Sequence, residues 1–253
     1  AVRAIARAAG VPVIEDAAQH GGATLRGSPA GALADTVILS FGRGKGTTSG
    51  NGGALLSRGD DTLATAVREA AAWLDRSAGA RDLLVAAASW ALGRPSLYTI
   101  PSAIPGLHLG ETVYHEAGEP RRMSRAAVAL LARTFPGMDA AVAARRRNGF
   151  VLRAAARQSR HVQAVQPIEG GEPGYLRFPL LMRGEMRTAP ALGAVRGYPR
   201  PLSEEPELRP ILSRTTEPLH GAREAADRLV TLPTHHLVRS RDLERLSRWM
   251  LQG

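Results

Sequence analysis

The sequence predicts an α/β fold in two parts: a larger domain over residues 1–150 with a mostly parallel sheet, and a smaller α/β domain over 151–253. Three observations lead there. Short apolar runs alternate with stretches of helical periodicity, the order expected of strands covered by helices. The first strand-like runs end in polar residues, Glu15–Asp16 and Ser40, and α/β sheets gather functional groups at the carboxyl ends of their strands. Near residue 150 a long helical stretch gives way to strand-like runs separated by GGEPG.

Residues 1–9 read as an amphipathic helix closed by Gly10. The chain opens inside that helix at Ala1, without a cap, which predicts further sequence upstream. Val11–Ile14 followed by Glu15–Asp16 reads as a buried parallel strand, and Thr36–Phe41 as a second strand. The glycine-dense loop GRGKGTTSGNGG then enters a third strand, Gly53–Ser57. Asp61–Ala78 has Leu63, Val67, Ala71 and Leu74 on one helical face, and Arg81–Leu92 continues as a more apolar helix. The prolines between Pro95 and Leu109 predict irregular chain. Ser124 is positioned to cap a helix that Pro136 closes, and Gly137–Arg160 is a long helix with its Arg145–Arg146–Arg147 run on the exposed face. Beyond it, His161–Ile168 and Tyr175–Met182 read as strands, and Thr188–Arg196 as a short helix. A helix without a clear cap spans His220–Leu229, Leu232–Pro233 leads into a loop, and Ser240–Leu251 is the last helix.

Composition excludes several classes. There is no cysteine, hence no disulfide framework and no thiolate metal site or nucleophile. The adjacent His235–His236 pair has no companion ligands in sequence, so no metal site is expected. No secretory leader is visible, and the longest apolar stretch, Leu83–Leu92, is about half a membrane span. A soluble cytoplasmic protein without membrane partners is the expectation. The net charge of +10 suggests nucleic acid, yet the basic residues are dispersed and only 4% of residues are aromatic, so no base-stacking platform is expected. Of the 33 cations, 32 are arginine and one, Lys45, is lysine. Arginine is not deprotonated near neutral pH, so Lys45 is the only side chain that offers an amine nucleophile.

Asp16, Ser40 and Lys45 all fall at predicted strand ends, with 29 positions between the acid and the lysine. A pyridoxal phosphate (PLP) site needs such parts: an amine for the aldehyde, a carboxylate for the pyridine nitrogen, and hydroxyl and backbone N–H donors for the phosphate. The segments VIEDAAQHGGA and GALADTVILSFGRGKGTTSGNGGALLS resemble the DegT/DnrJ/StrS family of fold type I PLP-dependent sugar aminotransferases. That family shows E-D-x-A-Q, then S-F-x-x-x-K, then G-x-G-G. RRMSRAAVALLART with the later RRRN resembles its long helix after N-x-R-M, and LVTLPTHHLVRSRDLERL its terminal segment. The resemblance implies part of the fold type I large domain plus the small domain. It implies Lys45 as the Schiff-base lysine, Asp16 facing the pyridine nitrogen, Gln19 beside the ring and Ser40 at the phosphate. Arg122 matches the arginine of N-x-R-M, a segment that in the family reaches the partner subunit's active site, so a homodimer is implied. The implied reaction moves an amino group from glutamate or glutamine to a keto-sugar nucleotide.

Each residue also has a plainer reading: Asp16 as a strand-end cap, Gln19 as a solvent-facing amide, Ser40 as a turn residue, Arg122 as a surface cation. Three departures from the family pattern stand out. The family's N-terminal portion, with its phosphate loop and ring-stacking aromatic, is absent, so weak PLP binding or none is expected of this chain. Pro120 replaces the asparagine of N-x-R-M. About 75 positions separate Lys45 from Pro120, an insertion around residues 73–115. GRGKGTT does not fit a nucleotide-binding P-loop, because Leu39 stands where a glycine is needed and Gly46 where Ser or Thr should follow the lysine. The rival to the enzyme reading is a truncated or degenerate aminotransferase-like protein acting as a non-catalytic binding or regulatory module.

Overall fold

The computed structural model describes residues 2–42, 44–58, 62–72, 77–92, 121–208 and 219–252. Pro120, the proline-rich run from Pro95 and most of the proposed insertion lie outside them. The described residues form two compact units. The first takes in residues up to 91, the stretch up to Arg146, and Pro167–Leu176; the second takes in Arg147–Gln166 and the chain from Arg177 onward.

The first unit opens with α1 (Val2–Ala8), none of whose residues is buried, followed by Gly10 at φ +65°. Strand β1 (Ile14–Asp16) is followed by the antiparallel pair β2 (Thr24–Leu25) and β3 (Ser28–Pro29), then β4 (Thr36–Ser40) and β5 (Gly53–Ser57). β4 is central, parallel to β1 and antiparallel to β5. The reading of β1 as a buried strand is corrected: among the described residues β1 is a sheet edge, and Ile14 and Asp16 are exposed. β-Branched Thr36 and Val37 are buried at the start of β4, where they suit a pleated surface. Helices α2 (Thr62–Ala72) and α3 (Ala80–Leu92) follow. Helix α4 (Arg125–Thr134) starts as its sequence predicts, with the Ser124 hydroxyl accepting the Ala127 N–H at 3.0 Å. Pro136 turns the chain through a 3₁₀ segment, Phe135–Gly137, into α5 (Met138–Gln158).

The exposed-face expectation for the basic run of α5 holds only for Arg147; Arg146 is half-buried and Arg145 is 4% exposed. Helical periodicity alone does not distinguish a solvent-facing arginine from one that donates to buried carbonyls. By length and composition the run Arg125–Gln158 is apolar enough to cross a membrane. Its buried Arg145 instead donates to backbone carbonyls of the first unit.

In the second unit β6 (Val162–Ala164) is much shorter than its predicted span. β7 (Gly171–Glu172), inside the predicted turn, returns to the first unit and pairs with β2. β8 (Arg177–Met182) buries every second residue, Phe178, Leu180 and Met182, with Arg177 exposed and Pro179 and Leu181 half-buried. One reading is corrected here. Thr188–Arg196 is not a helix but a 3₁₀ turn, Pro190–Leu192, stopped by Gly193 at φ +73° and followed by β9 (Val195–Arg196). Pro190 lacks an N–H, and the left-handed glycine ends the turn before a helix can propagate. After α6 (His220–Arg228), Leu232–Pro233 leads into a loop as expected, and with Leu229–Thr231 it forms β10 (Leu229–Pro233), a strand not assigned from the sequence, which lies between β8 and β9 in a four-stranded antiparallel sheet ordered β6-β8-β10-β9. Helix α7 (Ser240–Leu251) ends the fold and buries Leu243, Leu246 and Met250.

Candidate active site

The two acids that end β1 point to opposite faces, because successive strand residues alternate. Glu15 accepts the Gly31 N–H at 2.7 Å with Oε1 and the Leu33 N–H at 2.9 Å with Oε2, pinning the turn that leads into β4. Asp16 lies on the other face. It is in register with Ile38 of the parallel neighbour, so Asp16, Ile38 and Ser40 share one side of the sheet, on strands about 4.8 Å apart. Asp16 is exposed, and its Oδ1 accepts the Ala18 N–H at 3.0 Å. Gln19 is exposed in the turn that follows. Ser40 is half-buried, and among the described residues its Oγ has only a long 3.5 Å bond from the Gly42 N–H.

Lys45 is half-buried in the loop between β4 and β5, and the loop is knitted across its base. The Ser49 N–H donates to Phe41 O at 2.9 Å and the Phe41 N–H to Gly52 O at 2.8 Å. The Thr48 hydroxyl lies 3.1 Å from Phe41 O and 3.0 Å from Gly42 O, and accepts the Gly50 N–H at 3.1 Å. Buried Ser49 donates its hydroxyl to Asn51 O at 2.6 Å. Gly52 sits at φ +100°, and a Cβ there would meet the Met123 side chain at 2.5 Å, so both the turn and the close packing require glycine. Gly53 faces Ser40 across the ladder, where a Cβ would lie 2.6 Å from Leu39 O. From α4, the Thr134 hydroxyl donates to Thr48 O at 3.2 Å. Thr47 Oγ1, two residues past Lys45, is buried with no hydrogen-bond partner among the described residues.

Sequence reasoning missed the arginine that reaches this loop. Arg145 of α5 donates Nε to Gly174 O at 2.9 Å, Nη1 to Gly46 O at 3.1 Å and Nη2 to Gly21 O at 3.0 Å. Burial pushes its pKa below the ordinary arginine value, but the group remains a cation, with carbonyl dipoles rather than a carboxylate around it. Arg146 repeats the pattern one residue on, donating to Gly22 O at 3.0 Å and Pro173 O at 3.3 Å and pairing with Glu172 at 3.3 Å. The signal in sequence was available only as two arginines facing several glycines.

The structure thus brings Asp16, Gln19, Ser40 and Lys45 to the carboxyl ends of two adjacent parallel strands and the loops that follow. Arg122 is exposed, one residue before the Met123 that covers Gly52. As a donor set these residues fit PLP: an amine for the aldehyde, a carboxylate for the ring nitrogen and a weakly engaged hydroxyl for the phosphate, with glycine backbone that allows close approach. In the second unit, His235 is held neutral. Burial, then the nearby His236 and Arg177 charges, lower its pKa to about 4, against a smaller opposing pull from Asp242. No group of three or more metal-ligating side chains occurs among the described residues.

Comparison with known proteins gives the family. The model of the DegT/DnrJ/EryC1/StrS aminotransferase family matches residues 1–250. The chain is 34% identical over 162 residues to an L-glutamine:2-deoxy-scyllo-inosose aminotransferase of Streptomyces lividus, covering 64% of this chain and 33% of that protein. A DegT DnrJ EryC1 StrS aminotransferase of Brucella abortus has a similar structure, with TM-score 0.69 and 18% identity over 100% of this chain and 60% of that one. DesI, solved in the presence of its TDP-sugar product, gives TM-score 0.64 and 21% identity over 98% and 56%. The chain therefore spans about a third of its curated relative and about 60% of the similar structures.

Proposed function

This chain belongs to the DegT/DnrJ/EryC1/StrS aminotransferase family, and on that premise we propose that it is the lysine-bearing portion of a PLP-dependent enzyme that aminates a keto-sugar nucleotide. The observation that carries the reading is the placement of the only lysine. Lys45 lies in the loop leaving β4, while Asp16 ends the parallel neighbour β1 on the same face as Ser40. PLP, when bound, supplies an electron sink that stabilises negative charge at the carbon bearing the transferred amine.

The chain's own groups then have distinct tasks. The Lys45 amine would hold the cofactor's aldehyde and would accept and return the proton at the substrate carbon. Asp16 would face the ring nitrogen and favour its protonated form, Gln19 would flank the ring, and Ser40 would donate its hydroxyl to the phosphate. Arg122 serves a partner subunit's site in a soluble homodimer. The donor is glutamine or glutamate; the name of the S. lividus relative supports glutamine. That name also favours a second reading of the acceptor, a free keto-cyclitol, whereas the TDP-sugar of DesI supports the nucleotide-linked one.

Borohydride trapping with PLP, followed by peptide mass spectrometry, tests the assignment of Lys45 even if affinity is weak. The expected result is an adduct on Lys45 that is lost in Lys45→Arg. Labelling confined to the N-terminal amine of the unsubstituted chain would refute it. Amine transfer from glutamine to a keto-cyclitol but not to a keto-sugar nucleotide would select the second acceptor.

A further inference from the structure

We propose that Arg145 is a positioning residue that ties the Lys45 loop to the turn after Asp16 and to the Pro173–Gly174 segment. The proposal rests on the reading of Lys45 and Asp16 as working groups, and the clamp can be measured independently of that reading.

All three acceptors of Arg145 are main-chain oxygens. A guanidinium bonded to carbonyls fixes peptide planes, whereas an ion pair would fix only the tip of a side chain. Gly46 O belongs to the residue directly after Lys45, and Gly21 O lies two residues past Gln19. The rigid fork of one guanidinium therefore sets the spacing between the two loops that carry the amine and follow the carboxylate. The surrounding glycines meet the geometric demand of that contact. A Cβ on Gly46 would stand 3.3 Å from both Arg145 Nη2 and Gly21 Cα, and one on Gly174 would stand 2.4 Å from Gly21 O. Tyr175, next to Gly174, takes φ +46°, a conformation that a bulky residue keeps only where its surroundings hold it. Arg146 engages the neighbouring carbonyls, Gly22 O and Pro173 O, but not the Lys45 loop. The two consecutive arginines therefore make different predictions.

Because Lys45 is the only lysine, acetylation of the native chain reads its environment at a single side chain. In Arg145→Gln, Lys45 is expected to acetylate about tenfold faster. Exchange of the Ser49 amide should rise by a similar factor, since charge-assisted bonds of this kind are each worth up to about tenfold or more in loop opening. The Leu232 amide should keep its protection. Arg146→Gln is expected to accelerate Lys45 by no more than about threefold, the effect of a weakened neighbour rather than of the tie itself. Lys45 acetylation within twofold of the unsubstituted chain in folded Arg145→Gln, or an Arg146→Gln effect as large as that of Arg145→Gln, would overturn the proposal. Should Arg145→Gln fail to fold, Gly46→Ala probes the same contact from the other side, and unchanged Lys45 acetylation there would overturn it equally. Failure of PLP trapping on Lys45 in the unsubstituted chain would count against the cofactor role alone. Normal trapping with unaltered acetylation in Arg145→Gln would count against the clamp alone.

Discussion

In the second unit Phe178, Leu180, Val230 and Leu232 are all shut off from solvent, paired in register across β8 and β10, with Leu152, Leu246 and Met250 equally buried. In the first unit the buried apolar residues are smaller on the whole, Ala17, Ala34, Val37, Ala127, Val142 and Ala144 with Phe41, while much of the chain around Lys45 is held by hydrogen bonds accepted by Glu15 and donated by Thr48, Ser49 and Arg145. Apolar burial is strong but non-directional, so it stabilises a domain without fixing any one group closely. Hydrogen bonds are individually weaker and directional, so they position. The unit that carries the proposed chemistry is the one built on the second principle.

That contrast can be broken from the apolar side first. Phe178→Ala leaves a cavity opposite Leu232 and is expected to cost about 3–5 kcal/mol in denaturant unfolding. Hydrogen exchange should place the loss in β6, β8 and β10; a loss spread evenly to the Ser49 amide would erase the distinction between the units. The next effect depends on pH. His235 in the folded chain takes up a proton only near pH 4, whereas the unfolded chain does so near its ordinary 6.5. Stability contributed by the neutral form is therefore complete above pH 6.5 and falls as pH drops towards 4. His235→Gln should remove on the order of 2–3 kcal/mol of that fall. An unchanged acid limb in the variant would show that other groups control it. The smallest effect belongs to the polar side: Glu15→Gln keeps one acceptor oxygen for the two N–H groups of Gly31 and Leu33, at a cost of about 1–2 kcal/mol. A cost rivalling that of Phe178→Ala would mean that polar ties carry as much stability as the apolar core.

The same division explains what the sequence could reveal. The last helix, the Ser124 cap and the strand–loop–strand around Lys45 were legible because each depends on local pattern: periodicity, a capping hydroxyl, glycine density. The family resemblance rested on the same local runs. β10 was not legible, because Leu229–Pro233 is a short run ending in a proline, and its strand character shows only once its partners Arg177–Leu181 are known. The Thr188–Arg196 helix failed for the converse reason, since tertiary pairing of Val195 and Arg196 with β10 outweighs weak helical propensity. Arg145 was hidden most completely. Nothing in RRR distinguishes the arginine that meets three carbonyls from the one that meets water, because its acceptors lie 29, 99 and 124 positions away.

The meeting of Gly21, Gly46 and Gly174 also bears on how such a chain can change by descent. A single methyl at position 174 collides with the carbonyl of position 21, and one at position 46 crowds both Gly21 and Arg145. Position 174 cannot accept a side chain while the Gly21 turn keeps its path, position 46 does so only if its neighbours give by a few tenths of an ångström, and position 21 has room for ordinary contact. A side chain at position 174 therefore demands a compensating change in the turn at Gly21, so these two segments are coupled in descent, whereas positions 21 and 46 vary at a smaller local cost.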